Sequence, residues 1–209
     1  MECEKTQTRR VNDVKRILLK TCRMDLTTVI DSTDFSYGKA DEAITEIYTD
    51  GNLNIRYLPL NPNENYPNLI SMSFWLCGVR SVSKSNFIKL SKLRRLALNQ
   101  NRLSIIEDNT FEDLVALEYL YLDNNRIIQI DGQSMVPLKS LKHLDIYSNK
   151  CISTTFFGAN QVATIPKTIT EVCSSYVTFQ ACERMLNNEN ELKHSLEKNI
   201  SAIIAYCKN

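Results

Sequence analysis

Three stretches of the chain repeat one another: residues 93–101 read LRRLALNQN, residues 117–125 read LEYLYLDNN and residues 141–149 read LKHLDIYSN. They share the pattern L-x-x-L-x-L-x-x-N, with isoleucine for the last leucine of the third stretch, and they start 24 residues apart. The second half of each unit keeps the same spacing through large apolar residues, Phe87, Phe111 and Met135. Two halves with one period indicate an internal repeat.

This pattern is the signature of the leucine-rich repeat. The L-x-L core of each unit predicts a short strand, because its side chains alternate between the interior and the surface. The asparagine that follows predicts a bend in which its amide satisfies buried backbone groups. We therefore predict an α/β fold: a leucine-rich-repeat solenoid with a curved parallel β-sheet on its concave face.

The repeat extends towards the N-terminus in degenerate form. One unit begins at Ile44 and another at Leu69, with Cys77 at the asparagine position. We interpret Cys77 as a weak hydrogen-bond donor in the asparagine ladder and not as a reactive thiol. The predicted organisation is an N-terminal cap in residues 1–43, about five repeats in residues 44–150, and a C-terminal cap with an amphipathic helix in residues 151–209.

Composition limits the function. The chain of 209 residues is 43% hydrophobic and 23% charged, with a net charge of +1, which is typical of a globular protein and argues against nucleic-acid binding. No apolar run is long enough to span a membrane. With two histidines and none of the familiar catalytic or phosphate-binding motifs, we predict no enzyme, no metal and no cofactor.

Six of the seven cysteines flank the repeats, as expected of disulfide-bonded caps: Cys3, Cys22, Cys151, Cys173, Cys182 and Cys207. We predict a Cys3–Cys22 bridge. The four C-terminal cysteines allow three pairings, of which Cys151–Cys173 is preferred and Cys182–Cys207 follows. The N-terminus has no apolar core and is therefore not a signal peptide. Because the cysteines cluster at the two ends of the repeats, we expect a secreted protein whose signal peptide has been removed. The alternative is a cytosolic adaptor with free thiols.

Both flanks leave alternatives open. Residues 11–18 place apolar side chains at helical spacing, though a hairpin also fits. Residues 180–207 carry an apolar stripe that predicts a helix packed on the end of the solenoid. That helix would alternatively pair two chains, with Cys182 or Cys207 joining them, but we favour a monomer. Asn199 begins a glycosylation sequon, Asn-Ile-Ser.

The outward positions of the predicted strands form a candidate binding surface. They hold the only tryptophan and four tyrosines, and aromatic side chains are favoured anchors in protein interfaces. The alternative is that these rings only stack across neighbouring strands and stabilise the sheet. The predicted binding residues are Tyr48, Trp75, Arg95, Asn99, Tyr119, Tyr121, Asp123, His143, Asp145 and Tyr147.

Over nearly its whole length the chain resembles secreted leucine-rich-repeat proteins of insects, in particular the short leucine-rich immune proteins of mosquitoes. The resemblance rests on a cysteine pair before the repeats, on residues 56–59 (RYLP) and 66–69 (YPNL), on the three regular repeats, and on residues 149–152 (NKCI). It implies an extracellular recognition or scaffold protein of the haemolymph or another secreted fluid. With the outward aromatic residues, this predicts a non-catalytic protein that recognises a protein or glycan partner through its concave face, in innate immunity. Larger members pair through a C-terminal coiled coil, whereas this chain has only a short helix without a sustained heptad.

Overall fold

The computed structural model describes residues 7–11, 14–18, 42–49, 55, 57–174 and 176. Within these ranges short strands alternate with turns and 3-10 helices. The strands are β1 Gln7–Val11, β2 Val14–Leu18, β3 Ile44–Tyr48, β4 Ser71–Ser73, β5 Arg95–Ala97, β6 Ile105–Ile106, β7 Tyr119–Tyr121, β8 Gln129–Ile130, β9 His143–Asp145 and β10 Thr155–Phe157.

Eight of these strands form one sheet in the order β1-β2-β3-β4-β5-β7-β9-β10. The strands from β2 to β9 are parallel in this order, whereas β1 and β10 run antiparallel to their neighbours at the two edges. A small parallel pair, β6 and β8, lies outside this sheet. Because each turn of the chain adds one parallel strand, the structure is a solenoid, and the predicted fold class is confirmed.

The repeated leucines form the core, as predicted. Leu96, Leu120 and Leu144 occupy the centre of consecutive strands and are fully buried. On the opposite wall Phe87 and Phe111 are also buried, with their ring centroids 5.8 Å apart. Stacked units thus bury side chains that no single unit would remove from water.

An asparagine ladder runs along the bend after the strands. The Asn125 Nδ2 group donates to the backbone oxygens of Leu98 and Leu122, each at 2.9 Å, and its Oδ1 accepts from the Leu103 N–H at 3.0 Å. Asn101 and Asn149 bond in the same way one unit earlier and one unit later. This confirms the predicted role of the motif asparagine.

Cys77 takes the ladder position one unit before Asn101. Its buried thiol donates to the backbone oxygen of Trp75 at 3.2 Å and lies 3.0 Å from the hydroxyl of Thr49. Cys77 forms no disulfide. The interpretation of this residue as a weak donor in the ladder is therefore confirmed.

The N-terminal cap contains a hairpin. Strands β1 and β2 pair antiparallel, with Gln7 opposite Leu18 and Val11 opposite Val14, and β2 joins the main sheet beside β3. Of the two interpretations of residues 11–18, the hairpin is correct and the helix is wrong. The predicted Cys3–Cys22 bridge lies outside the described residues.

The C-terminal cap closes the other end. After β10 the chain forms a short helix α1, Gly158–Val162, and a second helix, α2, that includes residues 165–174. Pro166 lies in the first turn of α2, where its missing N–H costs nothing. Ile165, Ile169 and Cys173 recur every four residues and are buried against the solenoid.

The predicted disulfide Cys151–Cys173 is present and ties α2 to the residue that follows the last ladder asparagine. The structure has a C-terminal helix, as predicted, but this helix is α2 and lies before residues 180–207, where the sequence placed it. The apolar stripe in residues 180–207, together with Cys182, Cys207 and Asn199, lies outside the described residues. No helix in the described ranges is long and apolar enough to cross a membrane.

Candidate binding surface on the concave sheet

The parallel register arranges the outward side chains in two rows across the concave sheet. One row runs along the first strand positions, and its members are Glu46, Ser71, Arg95, Tyr119, His143 and Phe157. The other row lies two residues further along each strand, and its members are Tyr48, Ser73, Ala97, Tyr121, Asp145 and Thr155. Four of the rings in these rows therefore lie on β7, β9 and β10, whereas β4 contributes two serines.

Four rings form an aromatic cluster at the C-terminal end of these rows. The centroid of His143 lies 5.1 Å from that of Tyr121, 6.4 Å from that of Tyr119 and 4.5 Å from that of Phe157. The interplanar angles of 38° to 57° are tilted arrangements, within the range that aromatic pairs prefer. We call Tyr119, Tyr121, His143 and Phe157 the concave aromatic cluster.

Arg95 extends this cluster towards the centre of the sheet. Its guanidinium carbon lies 4.9 Å from the centroid of the Tyr121 ring, a cation–π contact between β5 and β7. The side chain stays exposed and forms no ion pair among the described residues. An arginine beside stacked rings is the combination that dominates binding energy in many protein interfaces.

The sequence did not single out Phe157, although its side chain is 60% exposed and contacts His143. The residue lies on β10, which turns back antiparallel beside β9 after the repeats have ended. Its backbone N–H donates a hydrogen bond to the side-chain oxygen Oε1 of Gln161, and the two atoms are 2.8 Å apart. A period of 24 residues carries no information about a strand that returns in the opposite direction.

The predicted aromatic residues are not all in contact. Tyr119 and Tyr121 each contact His143, but Tyr48 and Trp75 make no ring contact within the described residues. Trp75, 38% exposed, belongs instead to a third row after the strand ends, with Asn99, Asp123 and Tyr147. Trp75 is separated from the concave aromatic cluster by the repeat that carries Arg95.

Two carboxylates border the concave aromatic cluster. Asp145 lies opposite Tyr121 in the sheet register and accepts hydrogen bonds from the Thr155 hydroxyl and the Tyr147 N–H, each at 3.1 Å. Asp123 accepts from the Asn124 side chain at 2.8 Å. Partial burial raises the pKa of Asp123, and the nearby Asp145 raises it further, while the bond from Asn124 lowers it.

At this end of the sheet the outward aromatics contact one another, and their role in binding stays a prediction. The rings stack across β7, β9 and β10, as the stabilising interpretation requires. Yet Tyr119 remains 38% exposed and Phe157 60% exposed, so most of the apolar area of Phe157 is not used in folding. An exposed apolar patch of this kind, rimmed by charged groups, is typical of an interaction site.

The described residues include no group of three or more His, Cys, Asp or Glu side chains placed to hold a metal ion. His143 contacts rings, and its neighbours Asp145 and Thr155 hydrogen-bond to each other. The absence of catalysis stays a prediction.

A family model described as "Leucine rich repeat" matches residues 67–127 and 91–151. No curated protein sequence matches this chain significantly. Among solved structures, the chain is similar to a chain of the Toll–Spatzle complex of Drosophila, with 30% identity over 51% of this chain and 14% of that chain, at a TM-score of 0.48.

Two further structures are similar at lower identity. A chain of the TLR13–ssRNA13 complex is 22% identical over 55% of this chain and 16% of that chain, with a TM-score of 0.48. A chain of the complex of Latrophilin 3, Unc5D and FLRT2 is 20% identical over 58% and 44%, with a TM-score of 0.45. The protein spans less than half of the length of each of these chains. Residues 67–151 are leucine-rich repeats, and the fold is a leucine-rich-repeat solenoid.

Proposed function

We propose that this protein is an extracellular, non-catalytic binding protein, which recognises a protein or glycan partner through its concave sheet and acts in innate immunity. The observation that carries the binding function is the concave aromatic cluster with Arg95 beside it. These side chains are held in fixed positions by a hydrogen-bonded sheet and by one another, yet they expose apolar area to solvent.

Rigidity is the physical reason why this surface suits binding. A side chain that is already ordered in the free protein loses little conformational entropy when a partner arrives. His143 contacts three rings, and Arg95 packs on Tyr121, so their positions are set before binding. Tyr48 and Trp75, which lack such contacts in the described residues, are proposed as secondary contacts of a partner that spans the sheet.

The Cys151–Cys173 disulfide supports the extracellular location, because disulfides persist in oxidising compartments. A cytosolic adaptor would keep both thiols reduced. The immune role is supported only by the resemblance of the sequence to the insect proteins, and we propose it on that basis. A monomer is proposed as well, with no membrane span and no nucleic acid bound.

The test exposes the immobilised, disulfide-bonded protein to three probes: a random-peptide phage library, a glycan array and a single-stranded RNA oligonucleotide. The RNA is included because one of the similar structures is an RNA complex. The ligand that binds most tightly is then measured against Phe157→Ala and Tyr121→Ala. Its affinity should fall at least about tenfold for each variant, as expected of central aromatic contacts.

Tyr57→Ala is the matched control, because Tyr57 is 40% exposed but lies outside the concave sheet, bridged to Ser81. Its affinity for the same ligand should equal that of the unsubstituted protein. Equal affinities for all three variants would refute a concave binding site. Binding of the RNA alone would refute a protein or glycan partner.

A further inference from the structure

The charges on the concave face are unevenly distributed. Asp123 and Asp145 lie on adjacent repeats next to the concave aromatic cluster, and both are only partly exposed. Their hydrogen-bond partners in the described residues are neutral: Asn124 for Asp123, and Thr155 and the Tyr147 backbone for Asp145. Neither carboxylate forms an ion pair within the described part of the chain.

The cations of this region are engaged elsewhere. Arg95 packs over the Tyr121 ring. Arg94 and Lys142 both pair with Glu118, at 3.8 Å and 2.7 Å, one residue before the strands and so away from the concave row. Within the described residues the two concave carboxylates thus have no lysine or arginine as an ion-pair partner, and only His143 acts electrostatically to offset the charge of Asp123. On the flank of the sheet, by contrast, two cations surround one carboxylate.

Such a pair is unfavourable in the free protein. Partial removal from water raises the pKa of the Asp123 carboxyl, and the nearby negative charge of Asp145 raises it further. A neutral residue at either position would remove this unfavourable contribution to the free energy of folding. A positively charged group placed between the two side chains would relieve it, and the same geometry would repel a phosphate.

We propose that the occupant of the concave face is a polypeptide segment that sets an apolar or aromatic side chain on the concave aromatic cluster and a lysine or arginine against Asp123 and Asp145. This rests on the proposed function and names the chemistry of its partner. Of the two partner classes, protein is favoured over glycan because a neutral sugar leaves the carboxylate pair uncompensated. The aromatic contact supplies affinity and the charge contact supplies selectivity.

The experiment uses peptides recovered from the random-peptide phage library on the unsubstituted, disulfide-bonded protein. Their sequences should be enriched in lysine or arginine next to an aromatic residue. One such peptide is synthesised, and its affinity is measured by calorimetry at low and at high salt. Affinity should fall with salt, because the contact with the carboxylates is electrostatic.

Two double variants distinguish the effect of the two concave carboxylates from the effect of a change in the net charge of the protein. Asp123→Asn with Asp145→Asn keeps the shape of both side chains, and it should weaken binding about tenfold or more and remove most of the salt dependence. Glu107→Gln with Asp108→Asn is the matched control, since it neutralises two exposed, adjacent carboxylates on the turn after β6. That variant should bind as tightly as the unsubstituted protein.

The outcomes distinguish this inference from the proposed function. Two results would overturn the inference and leave the concave site standing, provided that Phe157→Ala weakens peptide binding. In the first, the recovered peptides are neutral or acidic. In the second, the peptide binds the Asp123→Asn, Asp145→Asn variant as tightly as the unsubstituted protein. A glycan that binds the concave face while no peptide does would have the same meaning. If Phe157→Ala changes the affinity of no ligand, the concave site and the inference are both refuted.

Discussion

At the scale of single residues, one amide side chain joins three backbone groups from two adjacent repeats. Asn125 bonds to Leu98, Leu103 and Leu122 while only 7% of its surface is exposed. In such a bend the backbone groups have no strand partner, so the side chain replaces one. This explains why the motif requires an asparagine, which is both donor and acceptor.

Asn125→Ala is therefore expected to lower the free energy of unfolding by about 1–3 kcal/mol, because it leaves buried backbone groups without a partner. Urea denaturation followed by circular dichroism measures this change. Asn99→Ala is the control, since the Asn99 side chain is half-exposed and forms no hydrogen bond in the described residues. A loss for Asn125→Ala no larger than that for Asn99→Ala would mean that the ladder does not stabilise the solenoid.

Whereas Asn125 stabilises the folded protein, the ionised side chain of Asp123 destabilises it. Its pKa in the folded protein is raised, so the ionised form is disfavoured by folding. The resulting destabilisation is present at neutral pH, and it fades as the pH falls through the folded pKa towards the unfolded value. Because the charge of Asp123 destabilises the folded protein, a role of this residue in binding explains it better than a role in stabilising the sheet.

Asp123→Asn should accordingly leave the stability at pH 7 unchanged or raise it by up to about 0.5 kcal/mol, a small effect because the group is partly exposed. The variant keeps an oxygen for the bond from Asn124. Its advantage should shrink as the pH falls to the range where Asp123 is protonated. Thermal melts at pH 7 and pH 4 measure both effects. A variant that melts clearly lower at pH 7 would contradict this account.

At the scale of elements, the strands differ in how far the sequence predicts them. Strands β5, β7 and β9 follow from the period, because an inward leucine and a bend asparagine recur at fixed places. Strand β10 does not, since it pairs antiparallel after the period has ended. The concave aromatic cluster was therefore predicted without Phe157, and Trp75 was grouped with rings that it does not contact.

The position of helix α2 was not predicted either, because the sequence placed the C-terminal helix in residues 180–207. A local signal was available: Ile165, Ile169 and Cys173 are four residues apart and Pro166 begins the pattern. The stripe is short, and its only partner is the end of the solenoid. Such a stripe becomes recognisable only when the surface that it covers is known.

The packing of α2 depends on a glycine in the preceding repeat. A Cβ atom added to Gly132 would lie 2.1 Å from the backbone oxygen of Pro166 and 2.3 Å from the Thr170 hydroxyl. Backbone at this distance cannot yield without moving the helix. Gly132 is buried in the 3-10 helix Gly132–Met135, so the clash cannot be relieved outwards.

Gly132→Ala should therefore destabilise the C-terminal cap by about 1–3 kcal/mol, the usual cost of overpacking. Amide hydrogen exchange should show the loss of protection first in residues 165–174, because repeat proteins open locally. Gln133→Ala, at the exposed neighbouring position, should leave exchange in α2 unchanged. Unchanged protection of α2 in Gly132→Ala would refute the close contact.

At the scale of the whole molecule, a stack of repeats exposes core at both ends, and both ends require caps. The C-terminal end is closed by β10, α2 and a disulfide. At the other end a hairpin adds two strands to the sheet. Pairs in this hairpin, such as Gln7 with Leu18, have residue numbers that sum to 25, as do Cys3 and Cys22.

We therefore propose that Cys3 and Cys22 form the second cap disulfide, which by the chain-entropy model contributes about 3 kcal/mol. Alkylation under denaturing, non-reducing conditions followed by digestion and mass spectrometry should give one peptide pair joined through these cysteines. The same digest should show Cys77 alkylated, since it is not bonded to another cysteine. Alkylated Cys3 and Cys22 would contradict the proposal, and alkylation of every cysteine would favour a cytosolic protein.

The central claim is that the concave aromatic cluster, with Arg95, is the binding surface. Its most direct test is a titration of isotope-labelled protein with the tightest peptide or glycan found, followed through backbone amide shifts. The account predicts that the largest shifts fall on Arg95, Tyr121, His143 and Phe157. Shifts that gather instead around Tyr57 and Ile105, which are exposed outside the concave sheet, would contradict it.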